Sequence, residues 1–197
     1  AEDDEETATL INGAAPTAMA KTCAAMGIPF VHISTDYVFD GTGEVGFEPK
    51  HPTSPLGAYG RTKLLGEEGV RAAGGTHVIL RTSWVFSQHG HNFLKTMVRL
   101  GRERAALNVV SDQIGGPTPA GDIADACLTI AAQLSLNPAL SGTFHFAGAP
   151  DVSWADFARA IFEEAGIECA VSDIPSSAYP TPAKRPANSR MNCDDLQ

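Results

Sequence analysis

Two periodicities of apolar positions alternate along the chain. Residues 7–26 are mostly small and apolar, as in a helix packed closely on a sheet; Gly13 and Pro16 should loosen or kink it and Gly27 should end it. Residues 28–34 form a short β-branched and aromatic run, the pattern of a strand buried on both faces of a parallel sheet, with His32 as a core histidine. Residues 41–55 are rich in glycine and proline and too polar for a core element, so they predict a surface loop. Ser54-Pro55 opens a helix that carries Tyr59, Lys63, Leu64, Leu65 and Val70 and closes at Gly74-Gly75. A second buried strand is predicted over 76–83, so a β-α-β crossover brackets this helix. Beyond it the pattern predicts a helix over 91–104, a strand over 107–111, a helix over 120–134, a strand over 143–146 and a helix over 153–165 capped by Ser153 with Asp156 at N3. The proline- and serine-rich tail, 175–190, reads as a linker.

Ligands of open α/β sheets bind just beyond the carboxyl ends of the strands. Ser34-Thr35-Asp36-Tyr37 falls there, although hydroxyls and carboxylates in such a place also serve as turn and capping groups. Tyr59 and Lys63 are four residues apart, which stacks both side chains on one helix face. A fixed ammonium beside a phenol favours the phenolate and brings the tyrosine nearer to a workable acid or base for carbonyl chemistry. An aromatic and a lysine in chance register on an exposed helix have the same spacing.

The formal net charge of −9 argues against broad contact with nucleic acid or anionic membranes. With 43% hydrophobic residues and no apolar run approaching the length of a membrane span, the chain suits a soluble, cytoplasmic protein with one main body. Cys23, Cys127, Cys169 and Cys193 are far apart, so they signal neither a zinc site nor a disulfide framework. Asp36, Asp40 and Glu44 lack a histidine partner and read as turn residues, so no metal is expected. The acidic start lacks the order of a secretory signal and has no initiating methionine, which suggests a fragment of a longer protein.

Five runs carry a resemblance: Ser34-Thr35-Asp36-Tyr37-Val38-Phe39; Ser54-Pro55-Leu56 with Tyr59-Gly60-Arg61-Thr62-Lys63; Arg81-Thr82-Ser83-Trp84-Val85; Asp112-Gln113 with Gly116-Pro117-Thr118; and Tyr179-Pro180-Thr181-Pro182 with Arg185-Pro186-Ala187-Asn188-Ser189. In order and spacing they resemble the extended short-chain dehydrogenase/reductase superfamily. Within it they resemble the reductases that convert the C4 ketone of dTDP-4-dehydro-L-rhamnose to dTDP-L-rhamnose. The resemblance implies a Rossmann-like doubly wound parallel sheet, incomplete at its N-terminus. A dinucleotide-binding lobe would span about residues 1–145 and a small C-terminal substrate lobe about 146–197, with interleaved segments allowed.

It also implies a catalytic trio of Thr35, Tyr59 and Lys63, with Tyr59 and Lys63 on the cofactor, NADPH or NADH. Thr35, Tyr37, Trp84, Arg185 and Asn188 would contact a nucleotide-sugar substrate, and a homodimer is compatible with it. The family's glycine-rich pyrophosphate turn has no counterpart here, so these residues alone are not expected to bind dinucleotide. A second resemblance, to the NADP-binding regulatory subunit of methionine adenosyltransferase, implies a non-catalytic partner. Arg81-Thr82-Ser83-Trp84 and the tail favour the reductase. Epimerases and dehydratases fit less well, because Asp36-Tyr37 does not supply a dehydratase's extra acid–base pair.

Overall fold

The computed structural model describes residues 1–196. In chain order they form α1 (Glu5–Thr9), α2 (Ala15–Met26), β1 (Phe30–Thr35), α3 (Ala58–Ala72), β2 (His77–Thr82), β3 (Val85–Phe86), α4 (Phe93–Glu103), β4 (Ala106–Val110), β5 (Ile114–Gly115), β6 (Thr118–Pro119), α5 (Ala120–Leu136), β7 (Gly142–His145), β8 (Val152–Ser153), α6 (Trp154–Glu164), β9 (Ala170–Ile174) and β10 (Asn188–Ser189). A π-helical turn (Leu10–Ala14) joins α1 to α2. This is where Gly13 and Pro16 were expected to disturb the helix. Proline has no N–H to give and its ring crowds the carbonyl four residues back, and a widened turn relieves both. Gly27, at φ 66°, ends α2 in a left-handed cap, with its own N–H and that of Ile28 bonded to Ala24 O and Cys23 O.

The main sheet runs β1-β2-β7, all parallel, with Thr35 paired to Thr82 at its carboxyl edge. Adjacent residues of β2 face opposite layers, as strand geometry requires. Ile79 packs with Ala20 of α2 and Val70 of α3; Val78 and Leu80 pack with Leu134 of α5. Each such side chain contributes about 1.5–3 kcal/mol on burial. Helices on both faces of a parallel sheet make the fold doubly wound, as the sequence predicts.

A second cluster gathers Met97 of α4, Leu107 and Val109 of β4, and Ala158, Ile161 and Phe162 of α6, beside the parallel pair β4-β9. Ser153 caps α6 as expected, accepting from Asp156 N at 3.0 Å while its hydroxyl donates to Asp156 Oδ2 at 2.6 Å. The tail departs from the linker expectation. Asn188 and Ser189 pair with Ile114 and Gly115 as β10, and Phe47 bridges Met191. Those bonds join residues far apart in sequence, which the local composition of the tail does not encode.

Beneath the carboxyl edge of the sheet lies a buried charge network. Glu67 of α3, fully buried, accepts from Arg81 Nε at 2.8 Å and Nη2 at 2.7 Å, from Ser34 Oγ at 2.6 Å and from Arg71 Nη2 at 2.6 Å. Arg81 also donates to Pro49 O at 3.0 Å. Burial would raise the Glu67 carboxyl, but Arg81, Ser34 and Arg71 together hold it below its ordinary value. The network ties α3 to β1, to β2 and to the surface loop, and so fixes where Tyr59 and Lys63 lie.

Candidate active site

An open cleft of about 570 Å³ lies at the carboxyl ends of β1 and β2, lined by Thr35, Tyr37, Tyr59, Ser83, Val85 and Arg185 among others. Thr35 ends β1, and the chain then enters a 3-10 turn (Asp36–Val38) whose Tyr37 N–H is accepted by Thr35 Oγ1 at 3.2 Å. The first turn of α3 comes close to this turn because Gly60 faces the Tyr37 carbonyl, where any Cβ would collide. Tyr59 and Tyr37 consequently meet edge to face, with ring centroids 5.5 Å apart. The α3 N-terminus has no side-chain cap of its own. Glu2 supplies one, accepting from Ala58 N at 3.1 Å and Tyr59 N at 3.2 Å.

Tyr59 is 37% exposed and lines the cleft together with Thr35. Burial raises the Tyr59 phenol above its ordinary value, the nearby Thr35 hydroxyl offsets part of this, and Asp36 adds to the rise. This differs from the sequence expectation that the lysine would draw the phenol down. The Lys63 ammonium is half-buried and donates to Ile33 O at 2.6 Å, and it is not among the groups that move Tyr59. Burial lowers the Lys63 ammonium, opposed by Glu67 one helical turn on. Tyr59 thus keeps its proton at neutral pH.

Tyr37 is pushed up to about 12 by burial and the neighbouring Asp36, with Arg185 opposing. Arg185 is exposed at the cleft rim, so of the tail residues proposed for substrate contact it is the one in the cleft. Asn188 is not. Buried to 2% exposure, it donates through Nδ2 to Thr42 O at 3.2 Å and Val45 O at 2.9 Å while Oδ1 accepts from Arg190 N at 3.2 Å. Its side chain ties the tail to the surface loop and has no donor left for a ligand, because both amide hydrogens are used.

Trp84 lies between two residues that line the cleft, Ser83 and Val85, and is not itself among the lining residues. Its indole stacks on Trp154 at 3.5 Å between centroids and 7° between planes, and lies over Gly115, where a Cβ would meet the ring at 2.9 Å. Its φ of 47° is unusual for a bulky residue and costs on the order of 1–2 kcal/mol, offset by that stack and by the Thr118 N–H on its carbonyl at 3.2 Å. Trp84 therefore joins the cleft to the second cluster behind it.

Sequence reasoning passed over Glu67, and it read Asp36 as a turn or capping group. Asp36 looks like a turn residue, yet it is buried to 3% exposure, accepts from Thr35 Oγ1 at 3.0 Å and has the Ser189 hydroxyl alongside. Glu67 had a usable signal, since it continues the Tyr59, Lys63 register by one more turn. Among the described residues no group of three His, Cys, Asp or Glu side chains could hold a metal ion, and no helix is long and apolar enough to cross a membrane.

The sequence model of the RmlD substrate binding domain matches residues 1–197. The chain is 46% identical over 203 residues to a dTDP-4-dehydrorhamnose reductase of Sinorhizobium fredii, covering 100% of this chain and 69% of the relative. It is 44% identical over 204 residues to that of Salmonella typhimurium, covering 100% and 68%. A crystal structure of a dTDP-4-dehydrorhamnose reductase from Clostridium acetobutylicum has a TM-score of 0.92 at 37% identity, covering 98% of this chain and 67% of that one. One from Bacillus anthracis in complex with NADP has a TM-score of 0.92 at 34% identity, with the same coverage. The chain thus spans about two thirds of the length of these relatives.

Proposed function

The chain belongs to the family of the RmlD substrate binding domain, and from that premise we propose that its cleft reduces the C4 ketone of dTDP-4-dehydro-L-rhamnose to give dTDP-L-rhamnose, with NADPH as reductant. The observation that carries this reading is the convergence of the Thr35 hydroxyl and the Tyr59 phenol at the exit of β1, in a cleft open to a ligand. The bound cofactor supplies the hydride.

Tyr59 gives its proton to the ketone oxygen as negative charge develops there, and its raised phenol keeps that proton available at neutral pH. Thr35 supports the phenolate that remains, an interaction that strengthens with the charge. Lys63, partly desolvated and one helical turn along from Tyr59, suits the hydroxyls of the nicotinamide ribose. The residues present fit that end of the cofactor; the glycine turn that would cradle its pyrophosphate has no counterpart among them. Arg185 at the rim offers a guanidinium to the diphosphate of the sugar nucleotide, and Tyr37 offers the sugar an aromatic edge.

The test is an assay of the full-length protein with dTDP-4-dehydro-L-rhamnose, following the loss of reduced-nicotinamide absorbance. Tyr59→Phe is expected to lower kcat about 10²–10⁴-fold; an unchanged rate would remove Tyr59 as proton donor. Fluorescence titration of residues 1–197 alone with NADPH is expected to show no binding, and tight binding would contradict the role given to the glycine turn.

A further inference from the structure

Arg185 reaches the cleft on a strap whose two ends are tied down close together, at Asp112 and at Ile114. At the first tie Asp112 accepts from Ser176 N at 2.9 Å and from Ser176 Oγ at 2.5 Å. At the second Ile114 N donates to Ala187 O at 2.9 Å, and Asn188 pairs with Ile114. Residues 177–186 run between these ties, and Ala183 and Arg185 line the cleft from there. Pro180, Pro182 and Pro186 restrict the strap, so its seat depends mainly on how its ends are held.

Gln113 stands between the two ties. Ile114 pairs antiparallel with Ser153, and the next rung of that ladder sets Gln113 beside Trp154. Gln113 is buried to 8% exposure and uses both ends of its amide. Oε1 accepts from Trp154 Nε1 at 3.2 Å, and Nε2 donates to Ser176 Oγ at 2.9 Å. The direction of each bond is forced. An indole N–H only donates, so Oε1 must face it. Burial would raise the Asp112 carboxyl, but its bonds with Ser176 hold it below its ordinary value, so near neutral pH it only accepts. The Ser176 hydroxyl therefore gives its proton to Asp112 and accepts from Gln113. Donation runs one way, from Trp154 through Gln113 and Ser176 to Asp112, and each bond in such a run strengthens the next.

Trp154 is the fixed end of this run. It lies flat on Trp84 and packs on Phe93 with 4.5 Å between ring centroids. Trp84 follows Thr82 and Ser83, which line the cleft, and Thr82 is paired in register with Thr35. The stack thus has a set place relative to the ketone end of the cleft, and Gln113 carries that reference across to the strap.

We propose that Gln113 is a positioning residue that locks the strap to the Trp84–Trp154 stack and so sets where the Arg185 guanidinium meets the diphosphate of a sugar nucleotide. The inference rests on the reductase reading, in which the keto sugar lies at Thr35 and Tyr59 and the diphosphate at Arg185. The Gln113 amide fixes the span between the two.

The experiment measures, in the full-length protein, the dissociation constant of dTDP by calorimetry and the separate KM values of dTDP-4-dehydro-L-rhamnose and NADPH. Gln113→Met, Ser176→Ala and Trp154→Phe each break the run at a different link, the second leaving the backbone N–H on Asp112 and the third keeping a ring to stack. Each should weaken dTDP about 3- to 10-fold, as expected for one neutral hydrogen bond. The KM of the keto sugar nucleotide should rise alike, with the KM of NADPH unchanged and kcat little changed. Arg185→Ala should weaken dTDP about tenfold or more, and in that background the three substitutions should have no further effect. A fall in kcat with dTDP affinity unchanged, the mark of a purely structural role, overturns the proposal. So does a loss of affinity that persists in full beside Arg185→Ala. If Gln113→Met does not fold, Ser176→Ala and Trp154→Phe decide the matter. A wild type that binds dTDP without reducing the keto sugar sinks the reductase reading, and the affinities still test the strap; turnover with indifferent variants sinks this inference only.

Discussion

Two buried carboxylates accept from neighbouring hydroxyls at the end of β1, and they have opposite fates. Ser34 hands its hydroxyl to Glu67, which holds two guanidinium groups; Thr35 hands its hydroxyl to Asp36, which holds none. The first stays ionised and is kept below its ordinary value, while the second is pushed up to about 6. Burial is common to both. What separates them is whether a cation shares the pocket, and the same chemical group becomes a fixed tie in one place and a titrating one in the other.

The largest test of the contrast breaks the paired side. Glu67→Gln leaves Arg81 charged and unpaired in the interior, an expected loss of about 3–5 kcal/mol in chemical denaturation. The pH sense of the two sites is also opposite. The contribution of Glu67 is full above its unfolded value near 4.3 and is lost as the pH falls through the lowered folded value. Asp36 runs the other way, since its raised value means that the folded state binds the proton more tightly. Its ionisation therefore removes stability as the pH climbs from about 4 through about 6, by about 3 kcal/mol once complete.

Asp36→Asn should consequently stabilise the protein by up to about 3 kcal/mol above pH ~7 and change little at pH ~4, as read from denaturant midpoints at the two pH values. Ser34→Ala should cost about 2 kcal/mol by removing one bond to an ionised acceptor. Arg71→Ala, at the half-exposed end of the network, should cost under about 1 kcal/mol. A larger loss for Arg71→Ala than for Ser34→Ala would mean that solvent screens the network less than its exposure suggests.

The sequence was most legible where period and punctuation are local. The crossover that brackets α3, the capped start of α6 and the break at Gly13 and Pro16 all follow from neighbours within a turn or two. What it hid is non-local. Asn188 looks like a substrate ligand in a linker because nothing near it in sequence reveals Thr42 and Val45, whose carbonyls take its amide. Trp84 was expected at the substrate from the resemblance; its stacking partner Trp154 enters from a helix that begins seventy residues later, which no local pattern reveals. The case of Asp36 is physical rather than topological. An Asp after Thr at a strand exit suits a solvated turn, and it is the packing of distant segments around it, Ser189 of β10 included, that removes the water that would have kept it ordinary.

The chain has two tryptophans, and they lie flat against each other, one leaving the main sheet and the other opening α6. At that separation the two indoles are close enough for their excited states to couple, so the near-ultraviolet dichroism of the protein is expected to report on the stack. Any ligand or mutation that shifts the second cluster against the sheet splits the pair and alters that signal, which gives the molecule a built-in optical gauge of its own internal joint.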